Sequence, residues 1–305
     1  MRLLIGYDGS PGAKAALDDL RWMGLSAGSD LLLVLVTEVW IAPLAGLEST
    51  EIGGVAERAE DSRHHLTRAV ERLRADQTEL MIDQVETLIE SGSPASTILH
   101  RAIEWGADMI IVGSHSASPL ERVFMGSVSQ RVAAEAQCSV RIARGRLEET
   151  RSVPRRLVIG IDGSIDSEQA LSVVANRHWP EGTEVRLVTS IGPFSQELNP
   201  RKIDEERHTI SEVHAKAMQR LSQHSGGIMT TTSVISFKDP KHALLQEAES
   251  WGADTIFVGS RGRGRLGRFL LGSVSSAVAS RAHCSVEIVR KATTVGDEES
   301  AEERQ

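Results

Sequence analysis

The chain has 305 residues, of which 25% are charged and only 4% aromatic, and its formal net charge is −8. At roughly 150 residues per domain the length suggests about two domains, and the negative balance argues against non-specific nucleic-acid or anionic-membrane binding. Two cysteines, Cys138 and Cys284, are too few for a disulfide scaffold, and the early apolar run Leu3 to Ile5 is too short for a signal or spanning segment, so a soluble cytoplasmic chain is expected.

Arg2 to Tyr7 reads as a short apolar strand. Ser10 then offers an N-cap and Pro11 a first helical position, followed by Ala13, Ala16, Leu17 and Leu20 at helical spacing. Leu31 to Val36 is a near-continuous apolar run, as in a strand covered on both faces. A long helix follows, with Leu66, Ala69, Val70 and Leu73 on one face. Gln84 to Glu90 is a third strand, and Ser93–Pro94 opens a helix reaching Trp105. Asp108 to Gly113 is a fourth strand, Ser127 to Ala136 a helix, and Ser139 to Ala143 a last strand. Alternating strands and helices predict an α/β fold: a parallel sheet, right-handed crossovers and helices on both faces.

The same order then runs a second time. Glu104 to Ser114 and Ser250 to Ser260 are identical at eight of eleven positions, at an offset of 146. Met125 to Ile142 matches Leu271 to Ile288 at eleven of eighteen positions, at the same offset. Ile5 to Ser10 mirrors Ile159 to Ser164 at an offset of 154, so the first copy has the longer middle segment. A period near 150 is that of a whole domain, not of a solenoid repeat. The division expected is 1–146, a charged linker 147–154, 155–291, and an acidic tail 292–305.

In such sheets ligands bind beyond the carboxyl ends of the strands. The fourth strand of the second copy runs into GSRGRGRLGRFLLGSVSS. Here Gly259, Gly262 and Gly272–Ser273 fit G-x2-G-x9-G-[ST]. Glycines at 259 and 262 allow positive φ and close backbone approach, and their amides can cradle a phosphate. Gly272–Ser273 opens the next helix, where free amides and the helix dipole favour an anion. Ser273 and Ser275 add hydroxyl donors, and Arg261, Arg263, Arg265 and Arg268 bring positive charge.

With this motif in both position and spacing, the chain resembles a tandem universal stress protein of the ATP-binding type. The resemblance covers roughly 1–145 and 155–290. It implies two five-stranded, Rossmann-like parallel sheets, ATP with Mg²⁺ as ligand, and pairing of the two copies through their last strands. Carried over, it places Asp162 at the adenine and ribose and Val188 at adenine. Gly259, Gly262, Gly272, Ser273 and Ser275 would hold the phosphates, with Arg261 beside them. The first copy keeps Asp8, Val36, Gly113, Gly126 and Ser127 but has Ser116 where the second glycine belongs. Its nucleotide motif is therefore degenerate.

Other readings are weaker. Gly262, Gly264 and Gly267 fit G-x-G-x-x-G but follow a fourth strand and do not open a helix directly. Gly267 to Ser273 lacks the lysine of a P-loop. The arginines lack the interleaved aromatics of a nucleic-acid surface. Gly24 to Gly28 fits G-x-S-x-G but sits between a helix and a strand, the reverse of a nucleophile elbow. The histidines do not show the i, i+4 spacing of a helical metal site, so no protein-held transition metal is expected. Cys138 and Cys284 read as buried small side chains, and Trp105 and Trp251 as helix-end packing. The motif holds no general base or catalytic lysine, so hydrolysis is expected to be slow at most. The function expected is an ATP-binding stress-response sensor or protective factor. The alternative is a scaffold of the same fold that binds no nucleotide.

Overall fold

The computed structural model describes residues 1–37, 50–76, 80–114, 125–145, 155–192, 200–225, 229–262 and 271–291, with the side chains of 50–59 and 225 excepted. The expected linker 147–154, acidic tail, Ser116, Arg263, Arg265 and Arg268 lie outside the described residues.

In the first half the strands are β1 (Arg2–Gly6), β2 (Ser29–Thr37), β3 (Ile82–Ser91), β4 (Met109–Gly113) and β5 (Ser139–Ala143). The helices are α1 (Pro11–Asp19), α2 (Thr50–Ala75), α3 (Pro94–Trp105) and α4 (Ser127–Glu135). The second half repeats them as β6 (Arg156–Gly160), α5 (Ile165–Asn176), β7 (Glu184–Ser190), α6 (Pro200–Ser225) and β8 (Thr230–Ser236). It continues with α7 (Pro240–Trp251), β9 (Thr255–Gly259), α8 (Ser273–Arg281) and β10 (Ser285–Val289).

The strands form one ten-stranded sheet in the order β3-β2-β1-β4-β5-β10-β9-β6-β7-β8. Each half is parallel, and only the junction of β5 with β10 is antiparallel. The two last strands thus pair within one chain, each covering the edge the other would leave open. The order places β1 beside β4 and β6 beside β9, so each half has its topological switch point there.

Local chemistry explains the recurring elements. Ser10 caps α1 by accepting from the Ala13 amide at 3.1 Å, and Ser164 caps α5 by accepting from Ser167 at 3.2 Å. The Trp-Gly-Ala-Asp segments end α3 and α7. Gly106 and Gly252 adopt φ of +67°, the left-handed turn that releases a helix at its C-terminus. Asp108 and Asp254 then accept from the Arg2 and Arg156 amides at 2.7 and 2.8 Å, locking the next strand into register. Trp105 and Trp251 close those helix ends against the core, each with an arginine over its ring.

Apolar packing differs between the two faces. On one face α3, α4, α7 and α8 build a single core that runs across both halves, with Val140, Ile142, Val286 and Ile288 at the seam. On the other face each half has its own cluster, one under α1 and α2, the other under α5 and α6. Side chains alternate along a strand, so Arg141 and Glu287 point to this second face. Both are fully buried.

Candidate functional site

The carboxyl ends of β6, β7 and β9 open onto a cavity of about 280 Å³. Asp162, Val188, Gly259, Arg261, Gly262, Gly272, Ser273 and Ser275 all line it. These are all eight second-half candidates, drawn from four separate stretches of sequence. Ser190, Pro240 and Leu244 are also part of the wall.

The geometry corrects two of the expected roles. First, neither Gly259 nor Gly262 has a positive φ; at the carboxyl ends of β6 and β7 the positive-φ glycines are Gly163 and Gly192, at +78° and +89°, and Gly9 after β1 matches Gly163 at +77°. The glycines answer to close approach instead. A Cβ on Gly259 would lie 2.6 Å from the Asp166 backbone, and one on Gly262 would lie 2.7 Å from Asp162 Oδ2. Second, the Ser275 hydroxyl is already committed, donating to the Gly259 carbonyl at 2.6 Å. Its role is to tie α8 to β9. The first half does the same, with Ser129 donating to Gly113 at 2.7 Å.

Asp162 Oδ1 accepts from the Ser164 amide at 2.9 Å, and Asp8 repeats this with Ser10 at 2.9 Å. These aspartates therefore shape the turn after the first strand in both halves. What differs is Asp162 Oδ2, which faces Gly262.

Asp166 is the residue that sequence reasoning missed. Its Oδ2 accepts from Ser260 Oγ at 2.7 Å, from the Arg261 amide at 3.0 Å and from Arg261 Nε at 3.2 Å. One carboxylate oxygen thus orders the start of the motif loop and holds Arg261 at the cavity wall. The Gly272 amide donates to the Ser260 carbonyl at 2.8 Å, which closes the loop back onto the start of α8. Beyond Gly272 come the amides of Ser273, Val274 and Ser275, the first turn of α8, which have no acceptor within their own helix. Pro240 opens α7, and Leu244 one turn on is buried against the sheet. No local signal marked Asp166, because its partners lie 94 and 95 residues away.

The first-half candidates occupy the matching positions. Gly113 ends β4, Gly126 is the N-cap of α4 and Ser127 its first residue. Val36 lies near the end of β2, half-buried against the core, and Asp8 is exposed. The position of Asp166 is Gly12 in this half, by the offset of 154. A Cβ on Gly113 would lie only 2.1 Å from the Gly12 carbonyl oxygen, so α1 sits hard against β4. Among the described residues nothing there supplies a carboxylate equivalent to Asp166.

The cysteines lie outside the cavity. Burial pushes the Cys138 thiol up to about 11 and that of Cys284 to about 12, which leaves little thiolate near neutral pH.

Comparison with known proteins agrees with the fold and with its duplication. A universal stress protein of Mycolicibacterium smegmatis is 27% identical over 304 residues, 94% of this chain and 96% of that one. One from Thermus aquaticus is 33% identical over 143 residues, 47% of this chain and 97% of its own. Among solved structures, a universal stress protein from Archaeoglobus fulgidus superposes with a TM-score of 0.65 at 20% identity, covering 95% of this chain and 98% of that one. At that identity the likeness speaks for the fold alone. The sequence model of the Usp (universal stress protein) family matches residues 1–144 and again 154–290. The chain therefore belongs to the universal stress protein family, with the family unit present twice in tandem.

Proposed function

We infer that the second half binds an adenine nucleotide, ATP in the first instance, and that the protein acts through its bound state. The observation that carries this reading is the convergence of four sequence stretches on one cavity at the switch point of the second half-sheet. Val188, Leu244 and Pro240 offer an apolar wall of the kind a purine ring needs. Arg261 and the first turn of α8 offer a cation and unpaired amides, the chemistry of a phosphate site.

Mg²⁺ usually reaches such sites on the phosphates, adding one or two carboxylates and keeping several waters. Asp162 lines the cavity, on the adenine and ribose side by the family resemblance, so any Mg²⁺ would be held by the phosphates and water. When bound, the ion would neutralise phosphate charge. Asp166 is not placed to act as a general base, because one of its oxygens already accepts three hydrogen bonds. With no general base or lysine in the motif sequence, the reading carries slow hydrolysis or none.

The test is equilibrium titration of the purified chain with ATP, alongside chromatography of any nucleotide it carries. A Gly262→Leu variant should lose at least tenfold in affinity while keeping its unfolding midpoint. No binding by the wild type would refute the reading in favour of a scaffold without a ligand, and unchanged affinity in the variant would refute this cavity as the nucleotide site.

A further inference from the structure

Two kinds of contact cross the junction of β5 and β10. One kind is symmetric. Arg144 donates to the carbonyls of Ala279 and Cys284, and Arg290 donates to those of Ala133 and Cys138. The donors and both acceptor pairs are related by the same offset of 146. Each arginine caps the final helix of the other half. Burial pushes both guanidinium groups down to about 10, so the caps are made at the expense of hydration. Any two such halves, like or unlike, would make these contacts.

The other kind is not symmetric. Arg141 and Glu287 are the same position of the repeat, 146 residues apart, and the strand register places them directly opposite each other. The pseudo-twofold axis therefore passes between them, where a symmetric pair would set a residue against itself. Arg141 Nη1 donates to Glu287 Oε2 at 3.1 Å, and neither residue is exposed. The row extends on both sides. Asp19 accepts from Arg141 Nε at 2.6 Å, and Arg177 donates to both oxygens of Glu287 at 2.8 and 2.5 Å. The charges alternate along the row Asp19, Arg141, Glu287, Arg177.

Flanking positions differ in the same sense. By the offset of 154, Asp19 corresponds to Val173 and Met23 to Arg177; by that of 146, Met109 corresponds to Thr255. Thr255 accepts from Arg141 Nη2 at 3.1 Å, and the Met23 carbonyl accepts from Arg177 at 3.2 Å. Both contacts join the two halves.

We propose that this row makes the pairing surface of each half selective for the other half and against a second copy of itself. A pair of first halves would order the charges as acid, base, base, acid, with two buried guanidinium groups face to face and methionine in place of Thr255. A pair of second halves would set two carboxylates face to face and bring Arg177 against Arg177. Each half carries one charge of each sign in this row, so what discriminates is their order. Like charges directly opposite on paired strands are unfavourable, and burial removes the water that would screen them. The partner that fits β5 is β10 of the same chain, or β10 of a second copy, and the selection leaves the symmetric arginine caps untouched.

The test keeps the full chain and rebuilds each self-pair inside it. One variant gives the second half the residues of the first: Val173→Asp, Arg177→Met, Thr255→Met and Glu287→Arg. A second does the reverse: Asp19→Val, Met23→Arg, Met109→Thr and Arg141→Glu. A third removes the charges altogether: Asp19→Val, Arg141→Leu, Arg177→Met and Glu287→Leu. Denaturant unfolding is read for all three. The two symmetric charged chains should lose roughly 100-fold or more in folding equilibrium, while the apolar chain stays within about tenfold of wild type, because well-packed apolar residues can replace buried ion pairs without loss. The proposal is overturned if the symmetric charged chains unfold with the wild type, or if the apolar chain falls as far as they do.

Discussion

The two halves share a backbone plan but not the full set of residues that lines the second-half cavity, and the difference sorts the motif into two classes of residue. Gly113 and Gly259, Ser129 and Ser275, and Asp8 and Asp162 make the same contacts in both halves. Those positions serve the fold wherever it occurs. Asp166, Arg261 and Gly262 have no such counterparts, since the first half has Gly12, His115 and Ser116 there by the two offsets. The second class is where ligand binding should be lost without loss of structure. A match to the motif is thus a mixture of structural and ligand-directed constraints, and a degenerate copy separates them.

The largest effect should come from the junction that both halves depend on. Arg141→Met leaves buried Asp19 with the Ser285 hydroxyl as hydrogen-bond donor but no cation, and Glu287 with Arg177 alone, and a drop of about 3–5 kcal/mol in unfolding free energy is expected. Burial opposes the Arg141 charge, but the two carboxylates outweigh it and hold its pKa above the usual arginine value. A loss below about 1 kcal/mol by chemical denaturation would show that water reaches the site.

Next come the shared glycines. Gly113→Ala and Gly259→Ala each force a Cβ into the backbone of the adjoining helix, and each should cost about 1–3 kcal/mol. The comparison is sharpened by affinity, because Gly113→Ala should leave nucleotide binding unchanged. If only Gly259→Ala is destabilising, the structural equivalence of the two positions is wrong.

The turn aspartates should give a smaller effect. Asp8→Ala and Asp162→Ala each remove one hydrogen bond to a backbone amide, for about 0.5–1.5 kcal/mol. Only Asp162→Ala should weaken ATP binding in calorimetry. Equal affinities in the two variants would assign both aspartates to the turn alone.

The smallest effect depends on pH. Thr189 donates its hydroxyl proton to the Ile161 carbonyl, so His214 Nε2 must be the donor in its contact with Thr189 at 2.7 Å. Nδ1 then has no hydrogen-bond partner among the described residues. Burial lowers the His214 pKa below its usual value of 6.5. The unfolded chain therefore takes up this proton first, and stability is lost as pH falls below about 6.5. His214→Asn should flatten that part of the acid limb. The first half has Leu66 at this place on its helix, at an offset of 148 fixed by Ala69 with Ala217 and Leu73 with Leu221, so it should contribute none of the slope.

Most of the fold was legible because the repeat tests itself. Apolar runs such as Leu31 to Val36, caps such as Ser10 and the Trp-Gly-Ala-Asp helix ends all recur where the structure puts the elements. Six of the second-half candidates were legible in the loop after the fourth strand, where a parallel sheet presents its ligand sites, while Asp162 and Val188 came from the family resemblance. Three things were not. The reason for glycine at 259 and 262 is approach by Asp166 and Asp162, which no local pattern reveals. Asp166 itself acts through contacts distant in sequence. The charged row at the junction was visible as Arg and Glu at equivalent positions of two apolar strands, SVRIA and SVEIV. Its meaning required knowing that those strands meet at that residue.

The measurement that bears most directly on the inequality of the halves is nucleotide stoichiometry. Equilibrium titration of the full chain with ATP and Mg²⁺ should saturate at one nucleotide per chain, and Gly262→Leu should abolish that site. Two equivalent sites per chain would show that Ser116 and the lack of an Asp166 counterpart do not disable the first half, and would contradict the account.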